Sequence, residues 1–368
     1  MNETVYLLSL QEKPGVGDVT IKKLVDIYGS AENVFKAELT ELIRTGVVDK
    51  ESAQAIKGYS KWEDYLKEYK KVENSGYFFI TYEDINYPEN LKNIYNIPML
   101  LQYYGDIYNS DSNAIAVVGS RNCDEYGRNV TETIVKQLVE NGITIVSGMA
   151  RGIDTVAHRS AIKYGGRTIA VLGSGLDICY PPENRELFEK ISENGYVISE
   201  YLLGTKPDSI NFPKRNRIIS GLSHGVVVIQ ANIKSGALIT AQYALDQNRE
   251  VFAIPANINN RKSSGCNKLI KQGAKLVENI DDIISEIKQF QGIRNTNKQL
   301  NNNLNLINLT MNEKAIVSLL KDKTLHIDEL QIVSTLSSSE MFTIILDLEM
   351  KEIIRALPGN YYELTNQL

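Results

Sequence analysis

The chain has 368 residues, of which 43% are hydrophobic and 23% charged, and its formal net charge is −5 at pH 7. This length favours two or three globular domains, and the absence of a signal-peptide pattern and of any apolar run of roughly 20 residues predicts a cytoplasmic protein without a membrane partner. Cys123, Cys179 and Cys266 have no zinc or disulfide spacing, so we expect no metal.

The net negative charge argues at first against a nucleic-acid partner, but the charges are distributed unevenly. Residues 205–275 contain eleven Lys and Arg against three acidic residues, a net charge of +8, and the rest of the chain carries −13. We therefore expect any anion site to lie within this basic segment.

Residues 1–62 have the pattern of a small helical, SAM-like domain. Pro14-Gly15-Val16-Gly17 lies between two segments of helical period, which indicates a helix-hairpin-helix. In such a hairpin the glycines allow a phosphate to approach the amides of the next helix. A tight turn inside a helical bundle explains the same residues, and both interpretations remain open.

Residues 63–288 predict an α/β domain. Residues 77–106 are an extension packed onto it, and short apolar β-branched runs then alternate with Gly-rich turns and helical patterns. Such runs suit strands covered on both faces, so we predict an extended Rossmann-like, doubly wound parallel sheet, with any ligand at the carboxyl ends of its strands. The six predicted strands are 115–118, 143–146, 168–172, 196–198, 226–229 and 251–254.

The C-terminal part of the chain predicts a linker and a third domain. Residues 289–308 form the linker, in which seven of the fourteen residues 295–308 are Asn. Residues 309–368 then show three short helical patterns and a hairpin, which suggests a winged helix. Its last helix carries Glu340, Asp347 and Glu349 and no cation, so we expect it to contact protein or serve regulation rather than enter a DNA groove.

The turns after the predicted strands combine free amides, small residues and cations, and together they suggest a rim that binds phosphates. Any one glycine turn could be a simple connection. Lys214-Arg215-Asn216-Arg217 is more unusual, because cations at the start of a helix are unfavourable unless an anion compensates them. The predicted DNA-binding residues are Gly119, Ser120, Arg121, Ser147, Gly148, Arg151, Gly152, Asp154, Phe212, Lys214, Arg215, Asn216, Arg217, Lys234, Ser235, Gly236 and Thr240.

Patterns that would indicate an enzyme are missing from the sequence. There is no G-x-x-x-x-G-K-[ST] loop, and Gly173-Ser174-Gly175 lacks the third glycine of a dinucleotide fingerprint. Asp154 could be a helix cap, and His158 on the same predicted helix is better explained as a hydrogen-bonded core residue. We therefore predict no catalytic residue and no cofactor.

Seven motifs in register resemble those of the DNA-processing protein A (DprA/Smf) family. They span residues 114–275 and include Val118-Gly119-Ser120-Arg121 and Phe212-Pro213-x-Arg215-Asn216-Arg217. Two positions depart from the family pattern, Met149 and Ala256, and neither removes a proposed anion donor. The resemblance implies a non-enzymatic protein that binds single-stranded DNA without sequence preference, forms a homodimer, protects incoming strands and loads RecA in natural transformation.

Within that interpretation, six cations would hold consecutive phosphates, with Asn216 at the backbone or base edges and Phe212 stacking on a base. Two alternatives remain, a phosphoribohydrolase-like nucleotide enzyme and a nucleotide-sensing module. The P-G-G-x-G-T-x-x-E run typical of the former does not occur. The six cations are Arg121, Arg151, Lys214, Arg215, Arg217 and Lys234.

Overall fold

The computed structural model describes residues 2–59, 62–290, 309–320, 324–334, 336–351 and 353–364. These residues form two compact units, Met1–Ile287 and Lys288–Leu368. Within the described ranges, no helix is both long and apolar enough to cross a bilayer. Most of the predicted linker, residues 291–308, lies outside the described residues.

The first unit begins with a bundle of six helices around an apolar core. The turn before the second helix contains Gly15, whose φ of +72° favours glycine, and a Cβ there would lie 2.5 Å from Ser52 Oγ. Ser52 Oγ in turn donates to Pro14 O at 2.8 Å, so the hairpin turn is packed within the bundle. The helices are α1 (Glu3–Gln11), α2 (Asp18–Tyr28), α3 (Ala31–Lys36), α4 (Leu39–Arg44), α5 (Lys50–Lys57) and α6 (Trp62–Asn74).

The rest of the first unit is built on a nine-stranded sheet with the order β1-β2-β6-β5-β4-β3-β7-β8-β9. Strands β3 to β9 pair in parallel, whereas β1 and β2 form an antiparallel edge next to β6. The strands are β1 (Phe78–Thr81), β2 (Leu100–Gly105), β3 (Ala114–Val118), β4 (Thr144–Ser147), β5 (Thr168–Leu172), β6 (Gly195–Ser199), β7 (Gly225–Val228), β8 (Glu250–Ala253) and β9 (Lys275–Leu276).

Helices connect the parallel strands. Every residue of β3 to β7 is buried, as expected for strands covered on both faces. Strand order reverses at β3, which has β4 on one side and β7 on the other, so the switch point lies between β3 and β7. The helices are α7 (Glu125–Glu140), α8 (Ile153–Lys163), α9 (Arg185–Glu193), α10 (Asn211–Gly221), α11 (Ala237–Asp246), α12 (Ser264–Lys271) and α13 (Asp281–Ile284).

Between residues 309 and 364, the described part of the second unit has three helices and a small antiparallel sheet, the architecture of a winged helix. The sheet order is β10-β12-β11, and the hairpin of β11 and β12 turns at residues 358–360, as predicted. Apolar side chains of all three helices and of the hairpin form one core. The elements are α14 (Met311–Leu319), β10 (Leu325–His326), α15 (Ile327–Ser334), α16 (Ser338–Met350), β11 (Ile354–Leu357) and β12 (Tyr361–Leu364).

The predicted fold class is therefore confirmed, with two refinements in the sheet. Residues 77–106, expected to be only an extension, contribute the antiparallel strands β1 and β2. The short strand β9 was not predicted, because its two residues are both exposed and give no apolar run.

Candidate nucleic-acid interface

A cavity of about 700 Å³ opens at the switch point, along the carboxyl ends of the parallel strands. The loops after β3, β4, β5, β6 and β7 form its walls, together with the first turns of α10. We call it the switch-point cavity. Its lining consists of Val118, Gly119, Ser120, Arg121, Asn122, Ala150, Asp154, Tyr180, Pro207, Ser209, Phe212, Pro213, Arg215, Asn216, Ile219, Asn232, Lys234, Ser235, Gly236, Ala237, Ile239 and Thr240.

The Phe212 ring forms an aromatic surface in this cavity. It packs against Gly173, where a Cβ would lie 2.8 Å from the ring, and its centroid is 5.6 Å from that of Tyr180. The Arg121 guanidinium lies 5.2 Å from the Phe212 centroid, within cation–π distance. Arg121 is exposed and forms no ion pair with any described residue. The cavity therefore presents an aromatic face beside an exposed cation that forms no ion pair with a described residue.

The opposite wall is the loop after β7, which carries a second exposed cation. Lys234 N donates to Asn232 Oδ1 at 2.8 Å, and Ala237 N donates to Ser235 Oγ at 3.3 Å, so the turn is ordered by its own side chains. Asn216 Nδ2 reaches across from α10 to Gly236 O at 3.4 Å. Like Arg121, Lys234 has no carboxylate partner in the described part of the chain.

Arg215 is a buried cation that holds α10 against the strand ends. Its guanidinium donates to Gly148 O at 2.8 Å, to Val171 O, and to Asn216 Oδ1 at 3.2 Å. A Cβ on Gly148 would lie 2.6 Å from this guanidinium, which explains the glycine. Burial lowers the pKa of Arg215 to about 10, so it stays charged at pH 7 and contributes positive potential to the cavity.

Arg217, two residues further along α10, does not line the cavity. Its guanidinium donates to Glu200 Oε1 and, at 3.1 Å, to Asp18 Oδ2 at the start of α2. All three side chains are at most 17% exposed. Arg217 is therefore neutralised internally and links the helical bundle to the sheet.

Two other titratable groups are buried near the cavity. Burial raises the pKa of Asp154 to about 6, although the Arg215 charge opposes the shift, and Asp154 Oδ2 accepts from Ala150 N at 3.3 Å. His158 Nδ1 lies 2.7 Å from Thr168 Oγ1, and burial lowers the pKa of His158 to about 3. His158 is thus a neutral core residue at pH 7, in agreement with the sequence interpretation. Among the described residues, no group of three His, Cys, Asp or Glu side chains is placed to hold a metal ion.

Comparison with known proteins identifies the family. The model for DNA recombination-mediator protein A matches residues 78–288, more than half of the chain. The chain belongs to the DNA recombination-mediator protein A family. The model for the DprA winged helix domain matches residues 305–360. Members of this family have a DNA-processing role in recombination, and the resemblance drawn from the seven motifs is confirmed.

Relatives match over most of their length. Protein Smf of Synechocystis sp. is 33% identical over 98% of this chain and 99% of its own. The DNA-processing protein DprA of Streptococcus pneumoniae is 40% identical over 78% of this chain and 100% of its own, and its crystal structure superposes with a TM-score of 0.68. A Helicobacter pylori DprA structure, which concerns a single-stranded DNA binding mode, has a TM-score of 0.51 and 31% identity over 57% of this chain and 96% of its own.

The cavity of this recombination-mediator chain contains most of the residues predicted from the sequence. They lie in the loops after the parallel strands, in the first turn of the helix after such a loop, or in the first turns of α10. The structure brings together Gly119, Ser120, Arg121, Asp154, Phe212, Arg215, Asn216, Lys234, Ser235, Gly236 and Thr240.

Six predicted residues do not line the cavity. Arg217 and Gly148, described above, are two of them. Ser147 is a third, and its Oγ donates to Val117 O at 2.7 Å. Lys214 is a fourth, and it is exposed on α10. Gly152 has a φ of +77°, and a Cβ on it would lie 2.2 Å from Ser120 O, so its role is a tight backbone contact. Arg151 is exposed and paired with Glu183.

The sequence analysis missed polar and aromatic lining residues, among them Asn122, Tyr180, Ser209 and Asn232. Asn122 follows Arg121 directly, and Asn232 follows β7 by four residues, so position after a strand was an available signal for both. Ser209 had no such signal, because it lies in the loop before α10.

Proposed function

We propose that this family member binds single-stranded DNA in the switch-point cavity without sequence preference. The observation that carries the proposal is the Phe212 face with Arg121 beside it and Lys234 in the same cavity lining, two exposed cations without carboxylate partners among the described residues. A base can stack on Phe212, and adjacent phosphates can meet the two cations. In a duplex the base would be paired and stacked, and therefore not free to reach the ring.

The number of phosphate contacts follows from exposure. Of the six cations predicted to bind phosphate, Arg215 and Arg217 are buried and internally bonded, which leaves Arg121, Arg151, Lys214 and Lys234. The Arg151–Glu183 pair is exposed on both sides, and solvent screens such a surface pair strongly, so a phosphate can compete for Arg151. Four contacts predict a slope of log affinity against log salt of about −3.

The proposal extends to delivery of the bound strand to RecA by a homodimer during natural transformation, without catalysis by this chain. This extension is supported by the family motifs, and single-strand binding is supported by the H. pylori relative. Its test is the rate of RecA filament formation on strands precoated with single-strand binding protein. We expect acceleration by the wild-type chain and none by Arg121→Ala/Lys234→Ala.

The decisive experiment measures the affinity of the full chain for dT oligomers of increasing length, for dTMP and for duplex DNA. Arg215→Ala and Arg217→Ala are unsuitable variants, because both side chains hold the fold together. Arg121→Ala/Lys234→Ala is the better variant, with Arg159→Ala/Lys271→Ala as a charge-matched control on exposed helix surfaces.

We expect affinity to rise with oligomer length and to fall only in the cavity variant. Equal binding of duplex, or a salt slope near zero, contradicts single-strand recognition. Tight binding of dTMP with no dependence on length would instead support the nucleotide-sensing or phosphoribohydrolase-like alternative.

A further inference from the structure

A second, smaller cavity of about 400 Å³ lies at the same edge of the sheet, beside the loop after β8. We call residues 254–263 the β8 loop. The cavity is lined by Tyr126, the second residue of α7, and by four residues of the β8 loop, namely Pro255, Ala256, Asn257 and Asn260. Parallel strands are about 4.8 Å apart, so the β8 loop is about 10 Å from the loop after β3, which forms the switch-point cavity.

The loops that carry the two cavities are connected through Gln230, which is fully buried. Gln230 O accepts from Ser120 N, at 2.6 Å, in the loop that lines the switch-point cavity. The Gln230 side chain accepts from Asp124 N at 3.1 Å and donates to Asp124 Oδ2 at 2.9 Å and to Ser263 Oγ at 3.4 Å. One residue therefore holds the loop after β3 and the β8 loop in a fixed relation.

The second cavity has an aromatic face that is held in place. Tyr126 is 44% exposed, and its hydroxyl donates to Pro255 O at 3.0 Å. The backbone of Ala256 is fixed in turn by Asn267, whose side chain accepts from Ala256 N at 3.1 Å and donates to Ala256 O at 2.9 Å. A ring presented in this way loses little freedom when a planar group stacks on it.

Two cations follow the cavity in the same loop. Arg261 and Lys262 are both exposed, and neither forms an ion pair with a described residue. The Asp124 carboxylate influences Lys262 electrostatically, but its oxygens accept from Gly127 N and Gln230 Nε2. The β8 loop thus repeats the combination of the switch-point cavity, an aromatic face beside unneutralised cations.

We propose that the β8 loop is a second nucleotide subsite, where Tyr126 stacks on a base and Arg261 and Lys262 bind the phosphates of a single strand leaving the switch-point cavity. This inference rests on the proposed function and adds a direction to it. The bound DNA strand runs from the switch-point cavity toward β8. Short oligomers therefore occupy the switch-point cavity alone, and longer ones reach the β8 loop.

The test compares a short and a long oligomer, dT4 and dT12, on the full-length chain. Arg261→Ala/Lys262→Ala should leave dT4 affinity within about twofold of wild type, because dT4 does not reach these cations. Affinity for dT12 should fall about fivefold or more, and the magnitude of its salt slope should decrease by about 1.4, the value for two phosphate contacts on a single strand. Arg159→Ala/Lys271→Ala, which removes the same charge elsewhere, should leave both affinities near wild type.

Tyr126 gives an independent measurement. Tyr126→Ala should weaken dT12 binding about fivefold or more with an unchanged salt slope, because base stacking is not ionic. Tyr126→Phe keeps the ring and should retain dT12 affinity. Unchanged circular dichroism and melting temperature of each variant establish that the fold is intact.

The outcomes separate the two proposals. If Arg261→Ala/Lys262→Ala behaves like the control, or if it weakens dT4 binding as much as dT12 binding, the proposed subsite is contradicted. The proposal of single-strand binding at the switch-point cavity is not affected by either result. If wild-type protein binds neither oligomer, the proposed function itself fails.

Discussion

At the scale of single residues, the three cations of Lys214-Arg215-Asn216-Arg217 have three different roles. Lys214 is exposed, Arg215 donates to carbonyls at the ends of the strands, and Arg217 is paired with Glu200 and Asp18. The cations at this helix start are compensated in part by the protein itself. An all-positive motif therefore does not show by itself how many of its charges are available to a ligand.

Arg217→Ala tests the structural role of this residue. Removing one partner of a buried ion pair leaves the other charge uncompensated, which costs about 3–5 kcal/mol of the free energy of unfolding. We expect a loss of this size in urea unfolding at pH 7, and an unchanged DNA affinity of the molecules that remain folded. Lys214→Ala is the control and should change stability by less than about 0.5 kcal/mol. A stable Arg217→Ala protein that has lost DNA binding would contradict the assignment.

Phe212→Leu tests stacking in the switch-point cavity. Leucine keeps an apolar contact with Gly173 but has no aromatic face, so we expect a loss of about 1–3 kcal/mol in dT-oligomer affinity with the salt slope unchanged. The measurement is fluorescence anisotropy at several salt concentrations. Arg121→Ala should instead reduce the magnitude of the slope by about 0.7. A changed slope in Phe212→Leu would mean that the ring acts by positioning Arg121.

At the scale of elements, α2 and α10 meet through one guanidinium and two carboxylates. Burial and the neighbouring Glu200 charge together raise the pKa of Asp18 to about 7, against the opposing effect of the Arg217 charge. The first residue of α2 is thus already engaged by the sheet domain, and Gly15 is packed against Ser52. These contacts favour the hairpin as a turn within the bundle over a phosphate-binding hairpin.

This junction should make stability depend on pH. Because the folded-state pKa of Asp18 is raised from 3.8 to about 7, the folded protein binds more protons there than the unfolded chain between these values. The stabilising contribution is fully present below about pH 4 and is lost as pH rises through about 7. His158 has the opposite effect on the pH dependence of stability, because its pKa is lowered in the folded protein. Its stabilising contribution is fully present above the pKa that the residue has in the unfolded chain, and it is lost as the pH falls toward 3.

Asp18→Asn isolates the contribution of the junction. Relative to this variant, wild-type protein should lose about 2–3 kcal/mol of unfolding free energy between pH 5 and pH 7.5, measured by urea unfolding across that range. His158 and Asp154 are common to both proteins, so their contributions cancel in the difference. Parallel pH profiles of the two proteins would show that Asp18 does not titrate in this window.

At the scale of the whole molecule, the two units present different surfaces. The switch-point cavity of the first unit has exposed cations, whereas the exposed face of α16 in the second unit carries Phe342, Leu346 and Met350 at intervals of four residues. The acidic residues of α16 make it unsuited to a phosphate backbone. That the winged helix contacts protein or serves regulation stays a prediction.

Deleting the residues after Asn308 tests this division. The shortened chain should retain dT-oligomer affinity within about threefold and the same salt slope, since the four exposed cations proposed to contact phosphates all lie in the first unit. The control is full-length protein purified and titrated in parallel. Loss of most single-strand affinity on deletion would assign a direct DNA-binding role to the winged helix.

The sequence by itself determined the doubly wound sheet, because fully buried strands need continuous apolar runs, and those runs stand out between Gly-rich turns. It also determined the edge at which the cavity lies, since turns after parallel strands share one edge. Only the tertiary structure decided which charges are free. Asp18 is 199 residues from Arg217, and Gly148 is 67 residues from Arg215. Whether a cation is neutralised depends on such distant partners, which no local pattern in the chain records.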